Sequence, residues 1–207
     1  GFNILRENKP MWKMTLIGAL FMLLFMPAMS LYPLVTTKYF GGTIVHAGWV
    51  EVLFAAAMLI GSFAVGIFGK TKDRMPWIIA AYFIVGLSIG GSGFLPGNMS
   101  GFWVFLVLNV FAGIVGQIYT TMNMAITQQS FEAQYLGRVM GIVSALMSVA
   151  GPVGLIFAAP VAESIGVQNM LVIAGFGGIL AACLLYFTPS VRNYDKFLQR
   201  KLENEGQ

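Results

Sequence analysis

Hydrophobic and polar positions alternate in long blocks along this chain. Short polar stretches separate six apolar segments, which lie at 14–34, 47–69, 77–95, 101–125, 139–161 and 169–188. Each segment has about the 17–25 residues that an α-helix needs to cross the hydrocarbon core of a bilayer. The pattern therefore predicts six transmembrane helices, the bundle 14–188, between a short leading segment at 1–13 and a polar tail at 189–207.

The composition agrees with this pattern. Hydrophobic residues make up 57% of the chain and charged residues only 10%, whereas soluble proteins carry about 25% charged residues. We therefore expect an all-α membrane protein that resides in a lipid bilayer. The single cysteine, Cys183, excludes an internal disulfide and a multi-cysteine metal site, and we expect neither a metal nor another cofactor.

The basic residues give the predicted bundle an orientation. Eleven of the twelve fall on one side of the six segments: Arg6, Lys9, Lys13, Lys70, Lys72, Arg74, Arg138, Arg192, Lys196, Arg200 and Lys201. Lys38 is alone on the other side. Because Lys and Arg collect in cytoplasmic loops, we expect a multi-pass protein of the cell membrane with both termini in the cytoplasm, 1–13 as a cytoplasmic linker and 189–207 as a cytoplasmic tail. Charge placed in this way is a topology signal and does not indicate nucleic-acid binding.

The first three segments and the last three form a weak internal repeat. A shift of 90 residues places Gly61 on Gly151 and Asp73 on Glu163. Three spans followed by three means that the second triplet enters the membrane from the opposite side. Inverted 3+3 repeats of this kind build each half of one large transporter class.

Proline and glycine are expected to interrupt two of the spans. Pro27 and Pro33 lie in the first segment, and Gly151 and Pro152 lie in the fifth. Helix breaks are tolerated where neighbouring helices or a cavity satisfy the backbone again, whereas small residues also permit close helix packing. The sequence leaves both interpretations of Gly151–Pro152 open.

Polar side chains inside the spans are the candidates for transport chemistry. Glu51 lies about one turn inside the second segment, where a carboxylate could bind and release a proton or could instead reach the surface water. The fourth segment carries a polar set that could line a cavity or hydrogen-bond to other helices: Asn109, Gln117, Thr120 and Asn123.

One short motif is typical of an enzyme. Gly90-Gly91-Ser92-Gly93 resembles the serine motif of intramembrane rhomboid proteases, whose serine needs a histidine base within hydrogen-bond reach. The single histidine, His46, precedes this serine and is expected in a loop outside the membrane. We therefore predict that the protein is not an enzyme.

Several stretches resemble one half of a major facilitator superfamily transporter, in the branch of macrolide and other drug exporters. They are "GFNILRENKP", "YFGGTIVHAGWVEVLFAAAMLIGS", "GIFGKTKDRMP", "LGRVMG", "AGPVG" and "TPSVRN". The resemblance covers essentially all 207 residues. It implies one half of a major facilitator fold, and it implies that an N-terminal six-helix half of the same transporter completes it. Because the chain begins at Gly1 and not at Met, we expect it to be part of a longer protein, or else a processed or engineered chain.

The resemblance also implies roles for single residues. Lys70, Asp73 and Arg74 correspond to a gating loop that holds helix ends together on the cytoplasmic side, although Met75-Pro76 departs from the family pattern. Gly151 and Pro152 correspond in part to the glycine–proline motif of exporters.

The main hypothesis from the sequence is proton-coupled efflux of hydrophobic or amphipathic small molecules by alternating access. Glu51 would couple transport to protons. The alternative is a stand-alone or accessory six-span membrane protein that does not transport by itself.

Overall fold

Ten α-helices and one π-helical turn form the part of the chain that the structure describes. This structure is a computed structural model that describes residues 1–68, 71 and 73–205, with the backbone alone at 67, 68, 159 and 205. The helices are α1 (Phe2–Glu7), α2 (Lys9–Ser30), α3 (Tyr32–Leu34), α4 (Ile44–Phe68), α5 (Met75–Ser92), α6 (Met99–Ser130), α7 (Ala133–Ile165), α8 (Val167–Phe187), α9 (Pro189–Arg192) and α10 (Tyr194–Glu205). The π-helical turn, Val35–Tyr39, connects α3 to the loop before α4.

Six of the described helices are long and apolar enough to cross a membrane: α2, α4, α5, α6, α7 and α8. Each of the six apolar segments overlaps one of them over most of its length. α6 and α7, with 32 and 33 residues, are longer than the segments 101–125 and 139–161. Their polar end turns are helical as well, and hydropathy cannot show this. α2 begins earlier than predicted because the Asn8 side chain accepts a hydrogen bond from the Met11 backbone N–H at 3.3 Å.

The predicted interruption of the first span is only partly correct. α2 continues through Pro27 and ends at Ser30, where Leu31 leaves helical geometry with φ −91° and ψ 1°. Pro33 lies beyond this end, in α3. Proline removes one backbone donor and fixes φ, but that loss alone does not end α2 at Pro27. The membrane helix is therefore shorter than the segment 14–34.

The predicted break at Gly151–Pro152 is wrong for the backbone. α7 is one continuous helix from Ala133 to Ile165, and Pro152 and Pro160 lie inside it. In hydrocarbon every further backbone group without a partner costs several kcal/mol. A helix that loses one hydrogen bond at a proline therefore keeps the remaining ones.

The main helix contacts follow the same pattern in the first three spans and in the last three. α2 packs against α7 and α8, and α6 packs against α4 and α5, while α5 and α8 pack against each other. Exchanging the first three spans with the last three reproduces the same set of neighbours. The expected fold of six membrane helices, one half of a transporter, is confirmed. Its helix contacts are those that an inverted 3+3 repeat requires.

α5 and α8, which we call the central pair, approach each other through glycine. A Cβ atom built on Gly178 would lie 2.7 Å from the Gly86 Cα atom and 3.0 Å from the Tyr82 carbonyl oxygen. A Cβ atom on Gly90 would lie 3.0 Å from the Gly175 Cα atom. Glycine at these positions lets two backbones touch without side chains between them, as in small-residue contacts of membrane helices.

α4 and α7, which we call the open pair, lie at the two edges of the bundle. Only 17% of the α4 span and 22% of the α7 span is buried, against 50% for both α5 and α8. Large apolar side chains such as Leu59 and Phe63 on α4 and Ile156 on α7 are more than half exposed. The open pair therefore has an apolar surface that the described residues leave exposed.

An aromatic cluster fills the centre of the bundle. The Phe21 ring on α2 contacts the Tyr82 ring on α5 edge to face at 5.0 Å, and the Tyr82 ring lies 4.6 Å from the Tyr119 ring on α6. All three side chains are buried. The cluster joins three helices at one level and fixes which face of α5 points inward.

Candidate transport and gating sites

The chain crosses the bundle six times, so both chain ends lie at the same end of it, which we call the terminal end. α1, α9, α10 and the loop before α5 all lie there. The π-helical turn and the first turns of α4 and α6 lie at the opposite end. Candidate residues occur at both ends and between them.

A buried ion pair joins the loop before α5 to the tail helix α10 at the terminal end. The Arg74 guanidinium donates to the Asp195 carboxylate from Nε at 3.0 Å and from Nη2 at 2.6 Å, and the Arg74 backbone N–H donates to it at 2.6 Å. The Asp195 side chain is 0% exposed and that of Arg74 is 7% exposed. Two parallel bonds between a guanidinium and a carboxylate are the strong geometry for this pair.

Two glutamines extend this contact to α6. Arg74 Nη2 donates to Gln129 Oε1 at 2.7 Å, and Gln199 Nε2 donates to the same oxygen at 2.9 Å. We call Arg74, Gln129, Asp195 and Gln199 the latch network. It connects the start of α5, the end of α6 and the tail helix, so these elements cannot separate at this end without breaking charged hydrogen bonds.

Asp73, in the same predicted gating loop, makes contacts of a different kind from those of Arg74. Asp73 Oδ1 accepts a hydrogen bond from the Met75 backbone N–H at 3.2 Å, and Asp73 Oδ2 lies 3.5 Å from the Lys196 Nζ. Lys196 is 60% exposed, so this second contact between loop and tail is in water. Lys70 falls outside the described residues.

Asn109, predicted as a cavity residue, lies inside the bundle. Its side chain is fully buried, and its Nδ2 donates to the Phe105 carbonyl of its own helix at 3.2 Å. Asn109 Oδ1, the Tyr32 hydroxyl and the Thr36 hydroxyl are buried without a hydrogen-bond partner among the described residues. The cavity role of Asn109 stays a prediction, and the sequence could not show that its side chain is covered by neighbouring helices.

The remaining polar residues of α6 are less buried. Gln117 is half-buried, and its Nε2 donates to Thr121 Oγ1 at 3.4 Å. Thr120 is exposed, and its hydroxyl donates to the Gly116 carbonyl at 3.0 Å. Asn123 is half-buried one turn further on. These three side chains form a polar strip toward the terminal end of α6.

Glu51 is exposed on α4, eight residues into the helix. At 1.5 Å per residue this places it about 10 Å from the start of the helix. No basic group lies within ion-pair distance of its carboxylate in the ranges 1–68, 71 and 73–205. The carboxylate belongs to the open pair, at the level of the apolar surface that the described residues leave exposed.

His46 is not the loop residue that the sequence predicted, because α4 already begins at Ile44. Its Nδ1 accepts a hydrogen bond from the Thr43 backbone N–H at 2.9 Å. Its ring lies 5.2 Å from the rings of both Trp49 and Phe102. The histidine thus belongs to an aromatic cluster at the opposite end of the bundle.

The glycine–proline segment of α7 packs against the first span. A Cβ atom on Gly154 would lie 2.8 Å from Pro27 Cγ of α2, and one on Gly151 would lie 3.6 Å from Met26 Cγ. Gly61 makes the corresponding contact between α4 and α6, where its Cβ atom would lie 2.9 Å from Gln117 Cβ. These three glycines of the open pair are therefore positions where α7 packs against α2 and α4 packs against α6.

Comparison with known proteins shows the family to which this chain belongs. The family model of the Major Facilitator Superfamily matches residues 11–205. Macrolide efflux protein A of Streptococcus pyogenes is 36% identical over 196 residues, which is 95% of this chain and 47% of that protein. Macrolide efflux protein A of Enterococcus faecalis is 39% identical over 155 residues, 75% of this chain and 47% of that protein.

A more distant similarity extends to another efflux protein. Multidrug efflux pump Tap of Mycolicibacterium fortuitum is 29% identical over 177 residues, 83% of this chain and 41% of that protein. The chain thus spans about half the length of the curated relatives that it matches. The resemblance to this family seen in the sequence is confirmed, and the chain is a multi-pass membrane protein.

Proposed function

Because the chain belongs to the major facilitator superfamily, we propose that it is one half of an exporter of hydrophobic or amphipathic small molecules of the macrolide type. The observation that carries this proposal is the similarity to macrolide efflux protein A along 95% of the chain. The open pair supports it, since an apolar surface of this kind fits a second six-helix bundle.

The second bundle in this proposal is an N-terminal half of the same transporter. Transport would proceed by alternating access, in which two rigid halves move about a site near the middle of the membrane. The terminal end is then cytoplasmic, in agreement with the eleven basic residues on that side of the sequence. The polar strip Gln117, Thr120 and Asn123 would face the path between the halves.

Glu51 is the proposed proton-coupling residue. It lies on the open pair inside a predicted span and has no basic partner among the described residues. Ionisable residues inside membrane spans commonly form proton relays, and Glu51 would face water in one arrangement of the two halves and a closed interface in the other. Binding and release of a proton would couple substrate movement to the proton gradient.

The gating role is assigned to Asp73 and Arg74, with Lys70 in the same loop. Arg74 is held by the latch network, and charge pairs at helix ends can stabilise one of two rigid-body arrangements. We propose that the latch network keeps the cytoplasmic ends of α5, α6 and the tail together as one body during that movement.

The test is macrolide efflux by the full-length transporter in inverted membrane vesicles, with proton movement followed in the same vesicles. The proposal expects macrolide-dependent proton movement in the unmodified protein and its loss in Glu51→Gln. Glu163→Gln is the matched control, because Glu163 is an exposed carboxylate on α7 of the open pair. Unchanged coupling in Glu51→Gln would remove Glu51 from this role. Absence of macrolide efflux in the unmodified protein would contradict the proposed substrate class.

A further inference from the structure

An apolar groove lies on the outer surface of the central pair, at the terminal end. It has a volume of about 400 Å³, and side chains of α5 and α8 line it: Ile79, Ala80, Phe83, Cys183, Tyr186 and Phe187. Tyr82 points the other way, into the aromatic cluster with Phe21 and Tyr119. The groove therefore faces away from α2 and α6 and from the polar strip of the proposed path.

One cation closes the groove at its end. Arg192, in α9 just after the last span, lies with its guanidinium carbon 5.2 Å from the centre of the Tyr186 ring. A guanidinium over an aromatic face is attracted by the ring electrons. No carboxylate lies within ion-pair distance of Arg192 among the residues that the structure describes. The five N–H groups of Arg192 therefore have no acidic partner among those residues, and they lie at the mouth of the apolar groove.

The residues around this mouth are those expected at the boundary between hydrocarbon and water. Pro76 and Phe187, at the start of α5 and the end of α8, both line the groove. Trp77, beside them, is 55% exposed, and tryptophan collects at the membrane–water boundary. A ligand here would have its polar group at the boundary and its apolar part along the helices.

We propose that this groove is a binding site for an anionic phospholipid of the adjacent leaflet. The acyl chain lies along Ala80 and Phe83 of α5 and Cys183 of α8, and the phosphate accepts hydrogen bonds from Arg192. Phosphate is the group that a guanidinium binds with two parallel bonds. Basic pockets between membrane helices on the cytoplasmic side bind anionic headgroups, and the terminal end lies on that side in the proposed function. The site is separate from the proposed path, so it does not depend on the transported substrate.

Native mass spectrometry of the full-length protein tests this proposal. The protein is extracted from vesicles that contain equal amounts of phosphatidylglycerol and phosphatidylcholine with the same acyl chains. The unmodified protein should retain one phosphatidylglycerol in preference to phosphatidylcholine. Arg192→Gln should lower that retention about tenfold, the value expected for losing hydrogen bonds to a charged group. Arg200→Gln is the control, since Arg200 is an exposed cation of α10 and is not among the residues that line the groove.

A second variant tests the apolar part without changing charge. Ala80 is exposed on α5, so Ala80→Phe fills the groove without entering the packed interior, and it should also lower phosphatidylglycerol retention. Size-exclusion profiles identical to the unmodified protein would confirm that both variants are folded. Equal retention of the two lipids by the unmodified protein would mean ordinary boundary lipid only and would overturn the proposal. Unchanged retention in Arg192→Gln would overturn the assignment of the headgroup site.

Discussion

The central pair and the open pair are similarly apolar helices with opposite surroundings. α5 and α8 touch along their backbones, where Gly86 and Gly178 leave no room for a Cβ atom. α4 has Gly48 and Gly66 with nothing within 4 Å of a Cβ atom built on either. Half of each central span is buried, but less than a quarter of each open span is.

This difference teaches that apolar character alone does not define a role in the bundle. In lipid, hydrophobicity does not drive helices together, and close packing decides which helices associate. The central pair has that packing within this chain. The open pair has it only on the side that meets α2 or α6, so its remaining surface suits a second bundle, as the proposed function requires.

Gly178→Val should have the largest effect, because it forces the central pair apart. The new side chain would meet the backbone of α5, at the Gly86 Cα atom and the Tyr82 carbonyl, and neither can rotate away. Overpacking of a close contact typically costs about 1–3 kcal/mol and can cost more where only backbone can move. We expect loss of folded protein, measured by size-exclusion chromatography of the full-length protein in mild detergent.

Two valine substitutions elsewhere sharpen this comparison. Gly91→Val changes α5 itself, and Gly48→Val changes the open pair, and neither Cβ atom would have a neighbour within 4 Å. Folded yields of both should match the unmodified protein. If Gly48→Val reduced the folded yield as strongly as Gly178→Val, the distinction between the two pairs would not hold.

Asp195→Ala should have the second largest effect, because the latch network fastens the tail helix to the start of α5 and the end of α6. Removal of one partner leaves Arg74 charged and buried, which typically costs about 3–5 kcal/mol. We expect a lower midpoint of thermal unfolding, together with faster hydrogen exchange in α10 measured by mass spectrometry. Normal exchange protection of α10 in this variant would show that the buried pair does not hold the tail helix.

Asp73→Asn should have the smallest effect, although Asp73 lies in the same loop beside Arg74. Its partner Lys196 is 60% exposed, and exposed ion pairs contribute about 0–1 kcal/mol. The unfolding midpoint should therefore change little, and the small change should disappear in high salt. A decrease as large as that of Asp195→Ala would mean that the exposed contact, rather than the buried one, fastens the loop.

Much of the fold follows from the sequence because length and hydropathy are local properties. The order of six helices and their approximate positions could be predicted in this way. The end of α2 at Ser30 could not, since Leu31 lies inside the apolar segment 14–34. The sequence did not show that α7 continues through Pro152. A proline removes only one backbone hydrogen bond, and the remaining ones keep the segment helical.

The candidate sites were less predictable because they depend on contacts between distant residues. Arg74 was identified from its loop, but its partner Asp195 lies 121 positions away in a tail whose mixed charges look like those of any exposed segment. Burial of Asn109 depends on which neighbours cover one face of α6, and helical spacing does not contain that information. In the sequence, Arg192 is likewise only one of eleven basic residues on its side of the membrane, and nothing there indicates the groove beside it.

Cysteine accessibility in the full-length protein tests the central claim most directly, that α6 faces a water-filled path and the outer face of the central pair faces lipid. Single cysteines are placed at Thr120 on α6 and at Leu87 on α5, both exposed in this chain, after Cys183→Ser. A hydrophilic maleimide should label Thr120→Cys and not Leu87→Cys, and a macrolide should slow the labelling at position 120. Equal labelling of both positions, or labelling of position 87 alone, would contradict the account.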